Sequence, residues 1–298
     1  MSIKCLIHAN THRFKEGARV LEDLARFVLR DEVLFKEIRA QRHALLSVVP
    51  PDVLNQDLGG PGLKEDNVRS ALLDLVQANS TRMQEALRVL EEFSESISQK
   101  QKIKSIRYAC YQLQQQLYQA TMLFLKRDKL KGLYLVIDPD VVAMPMEEMA
   151  GVVNETSVNL IQFRSKLMSK RDFVNAAVML RRLVHPDKLL IMNDHLDVAL
   201  DMADGVHLGQ ADYPIDRAKA MAPDHFIIGA TCHTVNEAKL AVSMGASYVS
   251  VGCIYQTTSK QDVVATSLDE LRFICESVPV HVAAIGGICQ DNISEVLA

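Results

Sequence analysis

From residue 132 onward, short runs of β-branched residues alternate with segments of helix length, and this alternation restricts the fold more than any other feature. Strands that are joined through helices run parallel, because each crossover returns the chain to the same end of the sheet. Parallel strands that end in polar residues predict an α/β barrel with its site at the carboxyl ends of the strands. Seven runs have these properties: Gly132–Asp138, Asn159–Lys166, Lys188–Asp194, Gly205–Gln210, Phe226–Thr231, Tyr248–Ile254 and Val280–Ile288.

An open, doubly wound sheet is the alternative architecture for this pattern. Nucleotide-binding sheets of that kind carry a Gly-rich turn after the first strand, and the sequence has no such motif after Asp138. The barrel is therefore favoured.

The first part of the chain contains an internal repeat instead of a strand pattern. Ala9–Leu24 returns 69 positions later as Ala78–Phe93, with eight of sixteen aligned residues identical. Apolar residues recur at helical spacing in both copies, which predicts two amphipathic helices. Each copy opens with Asn followed by Thr or Ser, at Asn10 and Asn79, and these residue types are typical of a helix N-cap.

A second helix is predicted in each copy, because the dipeptide Ile-Arg at 38–39 matches the one at 106–107. Two copies of a helix pair, joined through a Pro- and Gly-rich stretch at 50–62, predict an all-α helical bundle. The predicted domains are this duplicated helical domain (1–125), a linker (126–131) and the barrel (132–298).

Each repeat also carries a ladder of alternating Arg and Glu residues, spaced so that opposite charges are neighbours along a helix. These ladders are interpreted first as solvated helix faces or internal packing clamps. The alternative is an anion site or docking surface, because repeated guanidinium groups suit carboxylates and phosphates. Its candidate residues are Arg13, Arg19, Arg82 and Arg88.

Charge and composition exclude several classes of partner. The formal net charge of -4 provides no positive field that would draw the protein to nucleic acid or to an acidic membrane. No apolar run approaches the roughly 20 residues of a membrane span. The six cysteines lack metal-ligand spacing, which is typical of reduced thiols in a cytosolic protein. We expect a cytoplasmic protein that binds neither nucleic acid nor membrane.

Two cations end the second predicted strand. Alternation sends Gln162, Arg164 and Lys166 to the same side of that strand. An Arg and a Lys at the mouth of an apolar barrel are costly unless an anion meets them. Binding of phosphate or pyrophosphate is the functional interpretation, and a surface ion pair is the structural one.

Carboxylates follow the next two strands. Asn193 and Asp194 close the third strand, and Asp212 follows the fourth. Mg²⁺ takes one or two carboxylates and completes its shell with water and substrate phosphate oxygens. Asp194 and Asp212 therefore predict a magnesium site beside the two cations, whereas the alternative role of each aspartate is a helix N-cap.

The later strands add hydroxyl groups, a lysine and paired glycines. Thr231 ends the fifth strand, and the glycines after the seventh expose backbone N–H groups to an anion. His207 lies within an apolar strand, which is more typical of a hydrogen-bonded core residue than of a general base. The other candidate phosphate contacts are Thr257, Thr258, Ser259, Lys260, Gly286 and Gly287.

Taken in order, the segments QFRSK, NDH, GVHLGQ, IIGATCHT, GCIYQTTSK and AAIGGI resemble those of thiamine phosphate synthases across residues 132–298. The resemblance implies a (β/α)8 TIM-type barrel and a transferase of thiamine biosynthesis. Such an enzyme joins hydroxymethylpyrimidine pyrophosphate to a thiazole phosphate or its carboxylate and releases pyrophosphate. Helical repeats occur ahead of such barrels, and we expect any self-association of the protein to use the helical domain.

The resemblance also assigns roles to individual residues. Asp194 and Asp212 would hold Mg²⁺, the implied cofactor, and the departing pyrophosphate would leave a methylene carbocation for the thiazole nitrogen to capture. The implied catalytic residues are Arg164, Lys166 and Lys260. The implied substrate-binding residues are Gln162, Arg164, Lys166, Asn193, Thr231, Thr257, Thr258, Ser259, Lys260, Gly286 and Gly287.

The sequence departs from the family pattern in places. Cys253 and Gln256 stand where prolines are common, Ser259 replaces Thr, and Thr231 replaces Ser. The sequence also stops at Ala298, where the family continues into an eighth strand and helix. We expect the missing unit, unless a partner closes the barrel, to reduce stability and weaken thiazole binding, which a melting comparison with a longer chain tests.

Two other functions fit the same sequence. A thiazole tautomerase shares the barrel but makes no thiamine phosphate, and the cations and aspartates described above favour the synthase over it. A non-catalytic sensor of a thiamine precursor is the second alternative, and tight binding without turnover would favour it.

Overall fold

The computed structural model describes residues 3–50, 71–142, 144–256 and 265–297. The chain divides into two compact units, Met1–Phe124 and Leu125–Ala298. The described part of the first unit is helical, and that of the second alternates strands with helices. None of the helices in these ranges is long and apolar enough to cross a membrane.

Four amphipathic helices build the described part of the first unit, and the apolar residues predicted from the repeat are buried together in one cluster. The helices are α1 (Ile3–Asp23), continued by a π-helical segment (Leu24–Leu29), α2 (Glu32–Val48), α3 (Leu72–Glu92) and α4 (Ile97–Asp128). The end of α4 continues into the second unit, so the first three residues of the predicted linker at 126–131 are helical. The stretch predicted to join the two copies lies largely outside the described residues.

The predicted N-cap role of Asn10 and Asn79 is wrong, because both residues lie well inside their helices. Each side-chain amide donates to a carbonyl four residues earlier, at 2.9 Å in both copies. Thr11 donates to the carbonyl of Ile7 at 2.8 Å in the same way. These side chains are buried, so bonding back to their own helix satisfies polar groups that would otherwise be costly.

Two equivalent ion pairs tie the repeated helices to their partners. Glu22 on α1 accepts from Arg42 on α2 at 2.5 Å, and Glu91 on α3 accepts from Arg107 on α4 at 2.9 Å. Glu22 and Glu91 are equivalent positions of the repeat, so Arg42 corresponds to Arg107. The predicted alignment, which matched Arg39 with Arg107, is therefore wrong by three positions. The clamp interpretation of the ladder holds for these two glutamates.

Seven parallel strands form one sheet in the second unit, in the order β1 to β7. All seven predicted runs are confirmed, six of them as shorter strands and the fifth as a strand of equal length shifted by one residue. The strands are β1 (Tyr134–Ile137), β2 (Leu160–Phe163), β3 (Leu189–Asn193), β4 (Gly205–Leu208), β5 (Ile227–Cys232), β6 (Tyr248–Val251) and β7 (His281–Ala284).

Helices follow the strands and cover the outer face of the sheet. They are α5 (Met146–Glu155), α6 (Lys170–Leu183), α7 (Leu196–Met202), α8 (Ile215–Met221), α9 (Val235–Ser243), α10 (Leu268–Ser277) and α11 (Ile293–Leu297). Ser169, Thr234 and Ser267 cap α6, α9 and α10 by accepting from a backbone N–H three residues later.

Alternation along the strands separates an apolar layer from a polar interior. On β2, Ile161 and Phe163 join the buried cluster beneath the helices, whereas Gln162 faces the other side. The sheet is curled, because the hydroxyl groups of Tyr134 on β1 and Tyr248 on β6 lie 2.6 Å apart. The polar side chains are thus collected inside a concave surface.

Candidate active site

A cavity of about 370 Å³ lies within the curl of the sheet. Each strand, or the residue that follows it, contributes to the lining. One contributor from each strand, in order, is Tyr134, Gln162, Asn193, His207, Thr231, Ser250 and Ala283. The site predicted at the carboxyl ends of the strands therefore has a physical cavity into which several of the predicted residues project.

Arg164 lines this cavity and is paired with a carboxylate that the sequence interpretation overlooked. Its guanidinium group donates to Asp138, which follows β1 and is only 8% exposed. The backbone N–H of Arg164 donates to the carbonyl of Ile137 at 2.9 Å, so both ends of the residue are attached to the end of β1. The pair fixes the direction of a cation that still borders the open cavity.

Lys166 and the two predicted metal ligands form one cluster. The Lys166 ammonium group contacts Asp194, and Asp194 in turn lies beside Asp212. Desolvation and the neighbouring Asp194 carboxyl raise the pKa of Asp212 above its ordinary value. Gly209 donates its backbone N–H to Asp212 at 2.7 Å, which partly offsets this effect. A carboxyl group whose ionisation is disfavoured by burial and by a neighbouring carboxyl group is a suitable site for a cation.

The oxygens of Asp194 and Asp212 match the preference of Mg²⁺, which needs few protein ligands when it also binds phosphate oxygens. Within the described ranges, no group of three or more His, Cys, Asp or Glu residues is arranged to hold a metal. Asp194 has a left-handed backbone (φ 61°), and its N–H donates to the carbonyl of His207 at 2.9 Å.

Asp140 organises the loop that carries Lys166. It accepts from the Ser165 hydroxyl at 2.9 Å and from the backbone N–H groups of Lys166 at 2.6 Å and Leu167 at 3.0 Å. Desolvation alone would raise the pKa of Asp140, but these hydrogen bonds and the charge of Arg164 lower it overall. The sequence interpretation missed Asp140, although it lies two positions beyond Asp138 on the same loop.

A chain of hydrogen bonds crosses the interior of the sheet. Gln162 Nε2 donates to the Tyr134 hydroxyl at 2.7 Å, and that hydroxyl lies 2.6 Å from the hydroxyl of Tyr248. His207 links Tyr248 to Thr231, with 3.0 Å from Nδ1 to the Tyr248 hydroxyl and 3.0 Å from Nε2 to Thr231 Oγ1. Burial raises the pKa of Tyr134 to about 12, and the pKa of Tyr248 is also raised by burial.

The two tyrosines were not among the predicted site residues. A signal was present, because Tyr134 and Tyr248 alternate in phase with cavity residues of their own strands, Asp138 and Ser250. Both ring nitrogens of buried His207 have hydrogen-bond partners, in agreement with its interpretation as a core residue.

Gly286 and Gly287 lie where the loop after β7 meets the loop after β6. Both have positive φ, 104° and 61°. A Cβ at Gly286 would lie 2.6 Å from Cys253 Sγ, and one at Gly287 would lie 2.5 Å from the carbonyl oxygen of Gln256. The glycines are thus required by the close packing of two loops. The remaining predicted contacts, Thr257, Thr258, Ser259 and Lys260, lie outside the described residues.

Comparison with known proteins gives two family matches. Residues 133–298 match the family described as thiamine monophosphate synthase, and residues 5–116 match the ThiD2 family. A thiamine-phosphate synthase from a Nostoc species is 35% identical over 98% of this chain and 85% of its own length. The corresponding protein of Gloeobacter violaceus is 34% identical over 98% of this chain and 87% of its own.

A solved structure resembles part of the chain. Thiamine phosphate pyrophosphorylase from Pyrococcus furiosus is 37% identical, with a TM-score of 0.51, and the match covers 58% of this chain and 82% of that protein.

Proposed function

The chain belongs to the thiamine monophosphate synthase family, and from this premise we propose how its cavity makes thiamine phosphate. The protein is a transferase of thiamine biosynthesis. We propose that it joins hydroxymethylpyrimidine pyrophosphate to a thiazole phosphate or its carboxylate. The observation that carries this assignment is that Arg164 lines the cavity while Lys166, two positions later, contacts Asp194 beside Asp212, because cations and paired carboxylates suit a pyrophosphate with its metal.

Gln162, Asn193 and Thr231 are proposed to bind the pyrimidine pyrophosphate, together with Arg164 and Lys166. The first three lie on β2, β3 and β5, and they line the same cavity as Arg164. The proposed contacts to the second phosphate are Thr257, Thr258, Ser259, Lys260, Gly286 and Gly287.

The proposed metal ligands are Asp194 and Asp212. Their adjacent carboxyl groups fit Mg²⁺, whose remaining positions suit water and pyrophosphate oxygens. The chemistry that the ion would supply is neutralisation of charge on the pyrophosphate. Bound cation would also relieve the cost of ionising Asp212 beside Asp194.

The reaction needs stabilisation of a leaving group more than proton transfer. The bond between the methylene carbon and the pyrophosphate oxygen breaks, the electron pair leaves with pyrophosphate, and the thiazole nitrogen forms a new bond to that carbon. Arg164, Lys166 and, as proposed, Lys260 hold the departing oxygens. Fixed cations in a partly enclosed site are effective in this role because they need no reorganisation as charge develops.

The finer architecture is part of the same proposal. The curled seven-stranded sheet is proposed to belong to a (β/α)8 TIM-type barrel over residues 132–298, after a linker at 126–131 and a duplicated helical domain at 1–125. We place the protein in the cytoplasm, with self-association, where it occurs, through the helical domain.

The test is formation of thiamine phosphate from the two precursors with Mg²⁺, in the original chain, in Asp194→Asn and in a control, Asp216→Asn. Asp216 is an exposed carboxylate on α8, away from the cavity lining. We expect metal-dependent product that Asp194→Asn loses and Asp216→Asn retains. Isomerisation of the thiazole without product would replace the synthase by a tautomerase, and tight binding of a precursor without either reaction would indicate a sensor.

A further inference from the structure

Tyr248 occupies a slot that the neighbouring strand leaves open. Its ring is 1% exposed and lies over Gly229 on β5. A Cβ at Gly229 would lie 2.1 Å from Tyr248 Cζ and 2.3 Å from its hydroxyl oxygen, so any larger residue would displace the ring. The glycine thus allows a large side chain on β6 to bring its hydroxyl into the middle of the sheet's concave face.

The Tyr248 hydroxyl connects two residues that border the cavity. It lies 2.6 Å from the Tyr134 hydroxyl and 3.0 Å from His207 Nδ1. The ring of Tyr248 stacks on the ring of His207, with 5.6 Å between their centroids. Beyond these two neighbours, the series of hydrogen bonds continues to Gln162 on one side and to Thr231 on the other. Tyr248 itself lies behind the lining, so its influence on a ligand acts through these residues.

One proton per hydroxyl group allows two directions for these hydrogen bonds, and the position of the substrate selects between them. In the first direction, the Tyr134 hydroxyl accepts from Gln162 Nε2 and donates its own proton to Tyr248. Tyr248 in turn donates to His207 Nδ1, and a neutral imidazole with Nδ1 as acceptor carries its proton on Nε2. His207 therefore donates to Thr231, whose own hydroxyl proton remains for a substrate oxygen.

The other end of the chain presents the complementary group. With Nε2 of Gln162 donating to Tyr134, the Oε1 atom remains to accept an N–H group from the pyrimidine. The reverse direction would leave the free hydroxyl proton on Tyr134, deep in the sheet, and none on Thr231 near the carboxyl ends. A pyrophosphate at those ends needs donors there, which favours the direction from Gln162 to Thr231.

We propose that Tyr248 is a positioning residue for the pyrimidine pyrophosphate: it holds His207 in the Nε2–H tautomer and thereby directs Gln162 and Thr231 toward that substrate. The inference rests on the proposed function. Tyr248 makes no contact with the reacting atoms, so its removal affects recognition of one substrate and leaves the other unchanged.

The kinetic test compares Tyr248→Phe with Tyr213→Phe. Tyr248→Phe removes one hydroxyl from the series of hydrogen bonds, whereas Tyr213→Phe removes a hydroxyl that contacts Met221 outside the cavity. For Tyr248→Phe we expect the KM for the pyrimidine pyrophosphate to rise about tenfold, as for loss of one or two buried hydrogen bonds, with the KM for the thiazole phosphate within about twofold. Tyr213→Phe should match the original chain.

A double variant separates action through Thr231 from a general structural effect. Because Tyr248 acts through Thr231 as well as Gln162, the losses in Tyr248→Phe/Thr231→Ala should combine to less than the product of the two single losses. Equal changes in both KM values, or full additivity, would overturn the proposal. Should Tyr248→Phe fail to fold, Tyr134→Phe interrupts the same series of hydrogen bonds at the neighbouring residue. The expected result is again a raised KM for the pyrimidine pyrophosphate and an unchanged KM for the thiazole phosphate.

A spectroscopic measurement tests the tautomer of His207 without the need for catalytic turnover. The ¹⁵N chemical shifts of the His207 ring, assigned by their loss in His207→Asn, distinguish the protonated from the bare nitrogen. We expect a proton on Nε2 in the original chain and a mixture of tautomers in Tyr248→Phe. A proton on Nδ1 in the original chain contradicts the proposal. Absence of product from the original chain would instead contradict the proposed function, so the two failures are distinguishable.

Discussion

Both units contain an arginine paired with a carboxylate, but the two kinds of pair have different surroundings. In the helical unit, Arg42 binds Glu22 between two helices, and the second copy repeats the arrangement. In the strand-containing unit, Arg164 binds Asp138 beside an open cavity, next to further cations and carboxylates. A pair that the repeat duplicates and helices enclose acts as a packing clamp, whereas a pair that borders a cavity orients a cation for a ligand.

The largest expected effect is on the stability of the helical unit. Arg42→Ala leaves the buried Glu22 carboxylate without a partner, which costs about 3–5 kcal/mol of unfolding free energy. Arg107→Ala should cost less, because Arg88 still lies 3.5 Å from the Glu91 carboxylate. Denaturant unfolding followed by far-UV circular dichroism measures both, and a stable variant that has lost its activity would contradict the clamp role.

Arg164→Gln should act on turnover instead. Removal of a fixed charge that stabilises the leaving group is expected to lower kcat about 10²- to 10³-fold, by analogy with loss of one oxyanion donor. The variant also leaves Asp138 unpaired, so Asp138→Asn/Arg164→Gln is the matched control. This double variant should recover stability but not activity, and recovery of activity would mean that Arg164 only balances the charge of Asp138.

Addition of Mg²⁺ with inorganic pyrophosphate should raise the melting temperature of the original chain. A ligand at 100 times its Kd stabilises the folded state by about 2.7 kcal/mol. Asp212→Asn should melt no lower than the original chain without ligand, because desolvation and Asp194 disfavour the charged form of Asp212. The same variant should lose most of the ligand-induced shift, and an unchanged shift would place the metal elsewhere.

The smallest expected effect concerns the packing of the loops after β6 and β7. Gly286→Ala combines a positive φ with a contact of 2.6 Å to Cys253 Sγ, and strain of this kind costs about 1–3 kcal/mol. Gly151→Ala is the control, since a Cβ there meets no atom within 4 Å in α5 and alanine favours a helix. Thermal melts of the two variants should shift in opposite directions, whereas equal shifts would remove the argument from loop packing.

The structural features that depend on local periodicity could be predicted from the sequence. Seven strands and the amphipathic faces of α1 and α3 follow from the alternation of apolar residues, and that pattern is fixed by burial on one side of each element. The cations at the end of β2 and the aspartates after β3 and β4 were found because strand ends of a parallel sheet meet at one side. Their contact through Asp194 was therefore expected from topology.

The errors arose where a residue's partner is distant or its local role is ambiguous. Asn10 and Asn79 suit a cap and an interior bond to the preceding turn equally well, and only burial decides between them. The second repeat was misaligned because a dipeptide match carries less information than the ion pairs of Arg42 and Arg107. Tyr134 and Tyr248 lie 114 positions apart, so their hydrogen bond becomes evident only after the sheet curls.

The most direct test of the account is a crystal structure of the chain with hydroxymethylpyrimidine pyrophosphate and Mg²⁺. The account predicts pyrophosphate oxygens within hydrogen-bonding distance of Arg164 and Lys166, and a metal held by Asp194 and Asp212. A pyrophosphate bound away from the cavity, or a metal that contacts neither aspartate, would contradict it.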